Sequence, residues 1–337
     1  MSFIEIFYRV IGEAVIPGVT GVLSFIPNIA ILIFLLTLLR ELGIVHSNMA
    51  PLFMGFSCSV PAIIACNTIQ DKRSRYLIML MIPYISCSAK LPIYVMISSV
   101  FFPVFPLAAV GSIYLIGILL VLFSLCLSKS LSRMQKADSR HAIQDAGANS
   151  FMLRFKSLLK RVRRPSARVI FDAVAESCLG FVKKAFTIIL TASIIVWILQ
   201  NLDNSFHLTS DINNSLLSRI GELFAPIFAP IGFGDWRATA ALLTGISSKE
   251  SVVSTFSVLA GSAESNALSI LLKDIFTPAS AFSFMVFCLL YMPCAATVAA
   301  IRNITKSIRI TLMILIGQTV IAWCFSFLIF YSIKVII

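Results

Sequence analysis

Three cysteines, two lysines and one glutamate stand inside apolar segments of this chain. Cys58 lies in GFSCSVPA, Cys87 and Lys90 in PYISCSAKLP, Lys249 and Glu250 in TGISSKESVVSTF, and Cys294 in YMPCAATVAAI. Thiolate and carboxylate are ligands that a borderline divalent cation accepts together. A charged residue at membrane depth is expensive and functional by default. The same segments carry Gly55, Ser57, Ser59, Pro61, Pro83, Ser86, Ser88, Pro92 and Pro293, which interrupt a continuous apolar helix. In lipid an unpaired backbone group costs several kcal/mol, so irregular backbone belongs inside protein or beside a water-filled path. Broken segments bearing sulfur and a buried charge point to a transport site rather than a structural anchor.

Cys58, Cys87 and Cys294 are therefore the candidate soft metal ligands, and each also reads as a small buried hydrophobe. Cys66, Cys126, Cys178, Cys288 and Cys324 lack such a setting and read as packing. Glu250 is the candidate hard ligand. Lys90 and Lys249 repel cations and fall to the gate, together with Ser57, Ser59, Pro61, Ser86, Ser88, Pro92, Pro293 and Thr297. One of the two lysines is expected to pair with Glu250 in a closed state, because an unpaired buried charge is unfavourable by several kcal/mol; snorkelling to a wet vestibule is the alternative. The serines beside Cys58 and Cys87 offer oxygen ligands or cap freed backbone groups. His46, His141 and His207 fall in expected loops and do not cluster. No nucleophile–base–orienter set occurs, so a hydrolytic enzyme is not expected.

The elements that must position these residues are membrane helices. Of the 337 residues 58% are hydrophobic and 12% charged, against about 25% charged in soluble domains, and the mean hydropathy is +0.95. The net charge of +12 does not signal nucleic acid, because the basic residues cluster in short loops between spans, the positive-inside pattern. Met1 to Pro17 lacks the form of a cleavable signal and is expected to be a mature N-terminus carrying an interfacial helix, with Glu5, Arg9 and Glu13 on one face. A span over 19–39 matches the roughly 20 residues a bilayer needs. Two broken segments follow, joined at a basic turn over 71–75, and then a plainer span over 106–127. Residues 129–184 hold thirteen Lys or Arg against four Asp or Glu and form a basic cytoplasmic linker. Its alternating basic and apolar residues predict helices on an anionic leaflet, with partner docking as the other reading. A span over 186–202, an extracytoplasmic loop over 203–235, an irregular segment over 236–259 that spans or re-enters, and spans over 279–301 and 310–333 complete eight candidates. Strict alternation puts Arg302, Lys306 and Arg309 outside, against the positive-inside rule, whereas a re-entrant 236–259 returns them inside. The domain order is thus 1–17 interfacial helix, 18–128 first gate half, 129–184 linker and 185–337 second gate half.

A weak internal repeat relates the halves: ISCSAK over 85–90 answers ISSK over 246–249, and PAIIACNT over 61–68 answers PCAAT over 293–297, in opposite order. Interrupted segments at matching positions of two halves mark a transporter binding site.

On these residues the chain resembles the membrane domain of bacterial ferrous iron transport protein B. The shared motifs are Gly55-Phe56-x-Cys58-x-Val60-Pro61-Ala62, the basic turn over 71–75, Pro83-x-x-Ser86-Cys87-x-Ala89-Lys90 with Lys for the usual Arg, the run Lys249 to Val253, and Met292 to Ala300. VTGVLSFIPNIAI over 19–31 also resembles the family's first membrane segment. The resemblance implies an all-α polytopic inner-membrane protein whose two gate halves, related as inverted pseudo-repeats, meet near the midplane. It implies ferrous iron or a similar divalent ion as cargo, with no permanently bound cofactor. The family begins with a soluble GTP-binding domain, whereas no G-x-x-x-x-G-K-[ST] loop occurs in this sequence. The segment between Leu39 and Pro51 is also shorter than the family's. The expectation is a separate GTP-binding protein or small cytosolic accessory protein as partner, besides the bilayer, with homo-oligomerisation left open. A permease for a nucleoside-like solute and a non-transporting membrane partner subunit are the alternatives.

Overall fold

The computed structural model describes residues 50–136, 191–192, 194–203, 207, 214–261 and 265–336. The expected interfacial helix over 1–17, the span over 19–39, the linker beyond Lys136, His46, His141 and Cys178 lie outside the described residues, as does most of the start of the 186–202 span. Residues 194–201 of that span are helical. Among the described residues the only strand-like pairing is an isolated bridge between Asp203 and Ser215. The protein is an all-α polytopic membrane protein.

Two short helices open the described part, α1 (Ala50–Met54) and α2 (Ser59–Ala65), the latter extended by a 3-10 turn over Cys66–Thr68. Ser59–Thr68 by themselves are too short to cross a bilayer. The basic turn over 71–75 is a helix start: Asp71 caps α3 (Lys72–Met81), accepting from the Ser74 amide at 2.9 Å and the Arg73 amide at 3.3 Å. Pro83 cannot donate to the preceding turn, and α3 gives way to 3-10 turns at Ile82–Tyr84 and Ser88–Lys90 before α4 (Leu91–Phe101), with Pro92 in its first turn. The whole run Lys72–Phe101 is one broken span. Helix α5 (Pro106–Lys136) runs past the expected span into the basic linker.

In the second part, the stretch read as a loop over 203–235 holds α6 (Leu216–Phe228) and a 3-10 turn over Ala229–Ile231. The chain turns at Gly232, whose φ of 96° suits glycine. It then bends by 104° into α7 (Trp236–Thr244). The sequence hides α6 because its faces are reversed. Leu223, Phe224 and Ile227 point outward, while Ser218, Gly221 and Ala225 are buried, and small residues are what lets membrane helices approach closely. Helix α8 (Ser251–Leu259) follows a break over 245–250. Then come α9 (Ser265–Ile275), between two of the expected segments, α10 (Pro278–Leu290), α11 (Ala295–Thr305) and α12 (Ile308–Ile336).

Helix α10 is the centre of the molecule. A helix apolar all round belongs in a core, and every residue from Phe284 to Leu290 is buried. It packs on α12, α4 and α5, and Phe284 and Phe287 join an aromatic cluster with Phe233, Phe228 and Phe256 at centroid distances of 5.2–6.0 Å. A second core unites the two parts: Val60, Ala62 and Ile63 of α2 lie with Ile78 and Met81 of α3 and Ala296, Ala300 and Ile301 of α11. The outer faces of α5 and α12 expose Leu107, Leu119, Leu122, Phe123, Met313, Ile316 and Leu328, the surface expected against lipid.

Candidate functional site

Each of the three candidate cysteines occupies the same local position. Cys58, Cys87 and Cys294 immediately precede a helix or helical turn with extended backbone, at φ, ψ of −150°, 130°, −81°, 162° and −62°, 157°, and none caps its helix through sulfur. Proline follows Cys58 three residues on and precedes Cys294 by one, which places helix starts where the missing amide costs nothing. Cys294 and Cys87 each lie within electrostatic range of Cys58. Cys87 is buried, whereas Cys58 and Cys294 are partly accessible. Cys294 Sγ lies 3.1 Å from Thr297 Oγ1, so Thr297 is the hydroxyl partner of one candidate ligand.

The breaks are tied together in pairs. In the first part the Ser88 amide and hydroxyl both donate to the Ser57 carbonyl, at 3.3 and 2.9 Å. In the second part the Ala295 amide donates to the Ile246 carbonyl at 2.7 Å. Each Cys-Pro break therefore touches the Ser-Lys break of its own part, with donor and acceptor roles exchanged. Backbone groups freed by the breaks are satisfied here, as an apolar medium requires.

The lysines complete the arrangement in a way the sequence does not disclose. Lys90 is 4% exposed and its Nζ donates to the carbonyls of Pro83 (3.0 Å), Ile85 (3.4 Å) and Leu289 (2.7 Å). Lys249 is 3% exposed, donates to the Met292 carbonyl at 2.8 Å, and sits 3.1 Å from the centre of the Tyr291 ring. The expected pairing with Glu250 does not occur in this structure: among the described residues the ion pairs are those of Arg237 with Asp235 and Asp274. The Leu289 carbonyl, in the last turn of α10, lacks an intrahelical partner and carries the negative end of the helix dipole, so it receives Lys90, while Lys249 reaches the Met292 carbonyl just beyond the helix.

Glu250 is partly buried at the start of α8, apart from any such bond. Ser59 and Pro61 are buried in the first turn of α2, and Pro293 is buried between Met292 and Cys294. Pro92 is exposed in the first turn of α4. Among the described residues no three His, Cys, Asp or Glu side chains converge as a metal-holding group, and His207 is exposed. Two kinds of residue escaped the sequence reading. Cys288, read as packing, is buried within electrostatic range of both lysines. Tyr291 packs its ring on Lys249, and Tyr94 lies buried within range of Ser86, Cys87 and Cys288; Tyr291 precedes the Met-Pro-Cys motif by one residue, which was the available signal.

A family model described as "Gate: Nucleoside recognition" matches residues 182–308. The Fe(2+) transporter FeoB of Staphylococcus aureus (strain MSSA476) is 32% identical over 351 residues, covering 99% of this chain and 50% of that protein. The chain is a relative of the FeoB membrane domain. The Fe(2+) transporter FeoB of Methanocaldococcus jannaschii is 33% identical over 87% of this chain and 45% of its own length. A Fe(2+) transport protein A/Fe(2+) transporter FeoB fusion protein of Porphyromonas gingivalis is 30% identical over 96% of this chain and 44% of its own length. The chain spans about half the length of these curated FeoB relatives. No solved structure matches it.

Proposed function

We propose that this chain moves ferrous iron, or a similar divalent ion, across a bacterial inner membrane through the seam between its two gate halves. The observation that carries the reading is that Cys58, Cys87 and Cys294 each stand at a helix break, on motifs resembling those of the FeoB family, with Cys87 and Cys294 both within electrostatic range of Cys58. Three sulfur ligands from separate segments can take over from water stepwise, and a transport site must bind well enough to admit an ion yet weakly enough to release it. Glu250 is the hard ligand at the edge of this path, and the hydroxyls of Ser57, Ser59, Ser86, Ser88 and Thr297 line it. The fused relative supports a small accessory protein as partner, and a separate GTP-binding chain is the proposed source of nucleotide coupling. The basic linker over 129–184 is the proposed cytoplasmic docking face.

The test is Fe2+ flux into proteoliposomes, alone and with cytosolic extract plus GTP, for the wild type and a Cys58→Ser, Cys87→Ser double variant. Flux that the folded double variant loses supports the sulfur path, and flux that it keeps refutes it. The printed description of the matching family model favours a second reading, a nucleoside-like cargo; uridine flux without Fe2+ flux in the same vesicles would select it.

A further inference from the structure

Four main-chain oxygens at the centre of the molecule accept hydrogen bonds from two buried lysine side chains, and among the described residues no acid pairs with either. Pro83, Ile85 and Leu289 present their carbonyls to Lys90, and Met292 presents its own to Lys249. The two side-chain nitrogens lie within electrostatic range of each other, and among the described residues neither has a carboxylate within ion-pair distance. Two like charges buried together are a costly arrangement unless the oxygens around them are built to receive a cation. Rings of backbone carbonyls are what replace an ion's hydration shell in a selective pore. Beside them the hydroxyls of Ser86 and Tyr94 lie buried near each other without a well-formed hydrogen bond, two further oxygens left open.

We propose that the carbonyls of Pro83, Ile85, Leu289 and Met292 form a binding station for a partly dehydrated divalent cation. Lys90 and Lys249 are its tethered occupants, displaced when the cargo arrives. This rests on the iron-path reading and adds the step that opens the seam. The Lys90–Leu289 bond joins the break of the first part to α10 in the second, across 199 positions of sequence, and a cation taking the Leu289 oxygen cuts that tie. A tethered ammonium also sets a threshold, because a cation must outcompete it for the oxygens. At equal distance a dication is attracted to each carbonyl about twice as strongly as Na+ or K+, and keeping part of its water limits the larger dehydration cost it carries.

The experiment is amine acetylation of the wild-type protein under anaerobic conditions, read by mass spectrometry at Lys90 and Lys249, with and without Fe2+. Displacement predicts that Fe2+ raises modification of both lysines about tenfold, the ratio expected for loss of one charge-assisted hydrogen bond, while K+ leaves them protected. Fe2+ flux without any change in modification overturns the station and leaves the iron path standing. Absence of flux counts against the iron path, and a second variant then decides the station by itself. Folded Lys90→Met, its oxygens vacated, is expected to retain more Fe2+ than wild type after desalting, and equal retention overturns the proposal. Where Lys90→Met does not fold, Lys249→Met carries the same comparison at Met292.

Discussion

Ser86 and Ser88 belong to one short motif, and the structure assigns their alanine variants opposite effects on stability. Ser88 Oγ donates to the Ser57 carbonyl at 2.9 Å, and the Ser88 amide donates to the same oxygen at 3.3 Å. Ser88→Ala removes one hydrogen bond but leaves that carbonyl a partner, so the cost is about 1 kcal/mol, the net worth of a typical intramolecular bond. Ser86 is 2% exposed and its hydroxyl holds no well-formed hydrogen bond. A buried polar group in that state costs about 1–3 kcal/mol, so Ser86→Ala is expected to be neutral or to stabilise by about 1 kcal/mol. Shifts of about 2–4 °C per kcal/mol apply to chains of 150–250 residues and shrink with size, giving roughly 1–2 °C here. Thermal unfolding in lipid nanodiscs, followed by tryptophan fluorescence, compares the two variants and their double. Ser86→Ala is also expected to slow Fe2+ flux, because a hydroxyl kept against a stability cost is one the path uses. A clear drop in midpoint for Ser86→Ala, or an unchanged midpoint for Ser88→Ala, would refute the hydrogen-bond assignment from which both predictions come.

Gly117→Ala tests how closely α5 approaches the break. A Cβ there would stand 2.7 Å from the Tyr84 carbonyl. Because the obstacle is backbone, the expected loss is about 1–3 kcal/mol, seen in the same unfolding assay; an unchanged midpoint would mean that the helix slides freely. Asp71 supplies a pH dependence. Bonds from the Ser74 hydroxyl first, then from the Ser74 and Arg73 amides, hold its carboxyl below the ordinary range. A folded value below the unfolded one makes the contribution complete above the unfolded pKa and lost as pH falls through the folded one. Asp71→Asn keeps a capping oxygen without the titration, so the acid-side fall of the unfolding midpoint, below about pH 4, should flatten in that variant and persist in wild type.

What was legible in the sequence was whatever local chemistry dictates. Apolar length set the membrane class and the spans over 106–127, 279–301 and 310–333. Proline, glycine and serine located the breaks because their effect on a helix acts within one turn. The motif cysteines were found because sulfur at a break is unusual in its own segment. Their meeting was not legible, nor was the seat of either lysine, since Lys90 reaches a carbonyl that only tertiary packing brings near. The expected partner Glu250 was the adjacent charge in sequence, but main-chain carbonyls at the breaks and at the end of α10 are the acceptors that the packing presents. Helix α6 was missed because a membrane helix can bury its small residues and turn its large apolar ones to lipid, the reverse of the soluble pattern. Cys288 looked like packing within α10, and only the approach of Lys90 and Lys249 gives it a place in the site. Sequence thus determined where the helices break, and the tertiary structure decided what the breaks hold, because the freed backbone groups must find partners and folding alone chooses them.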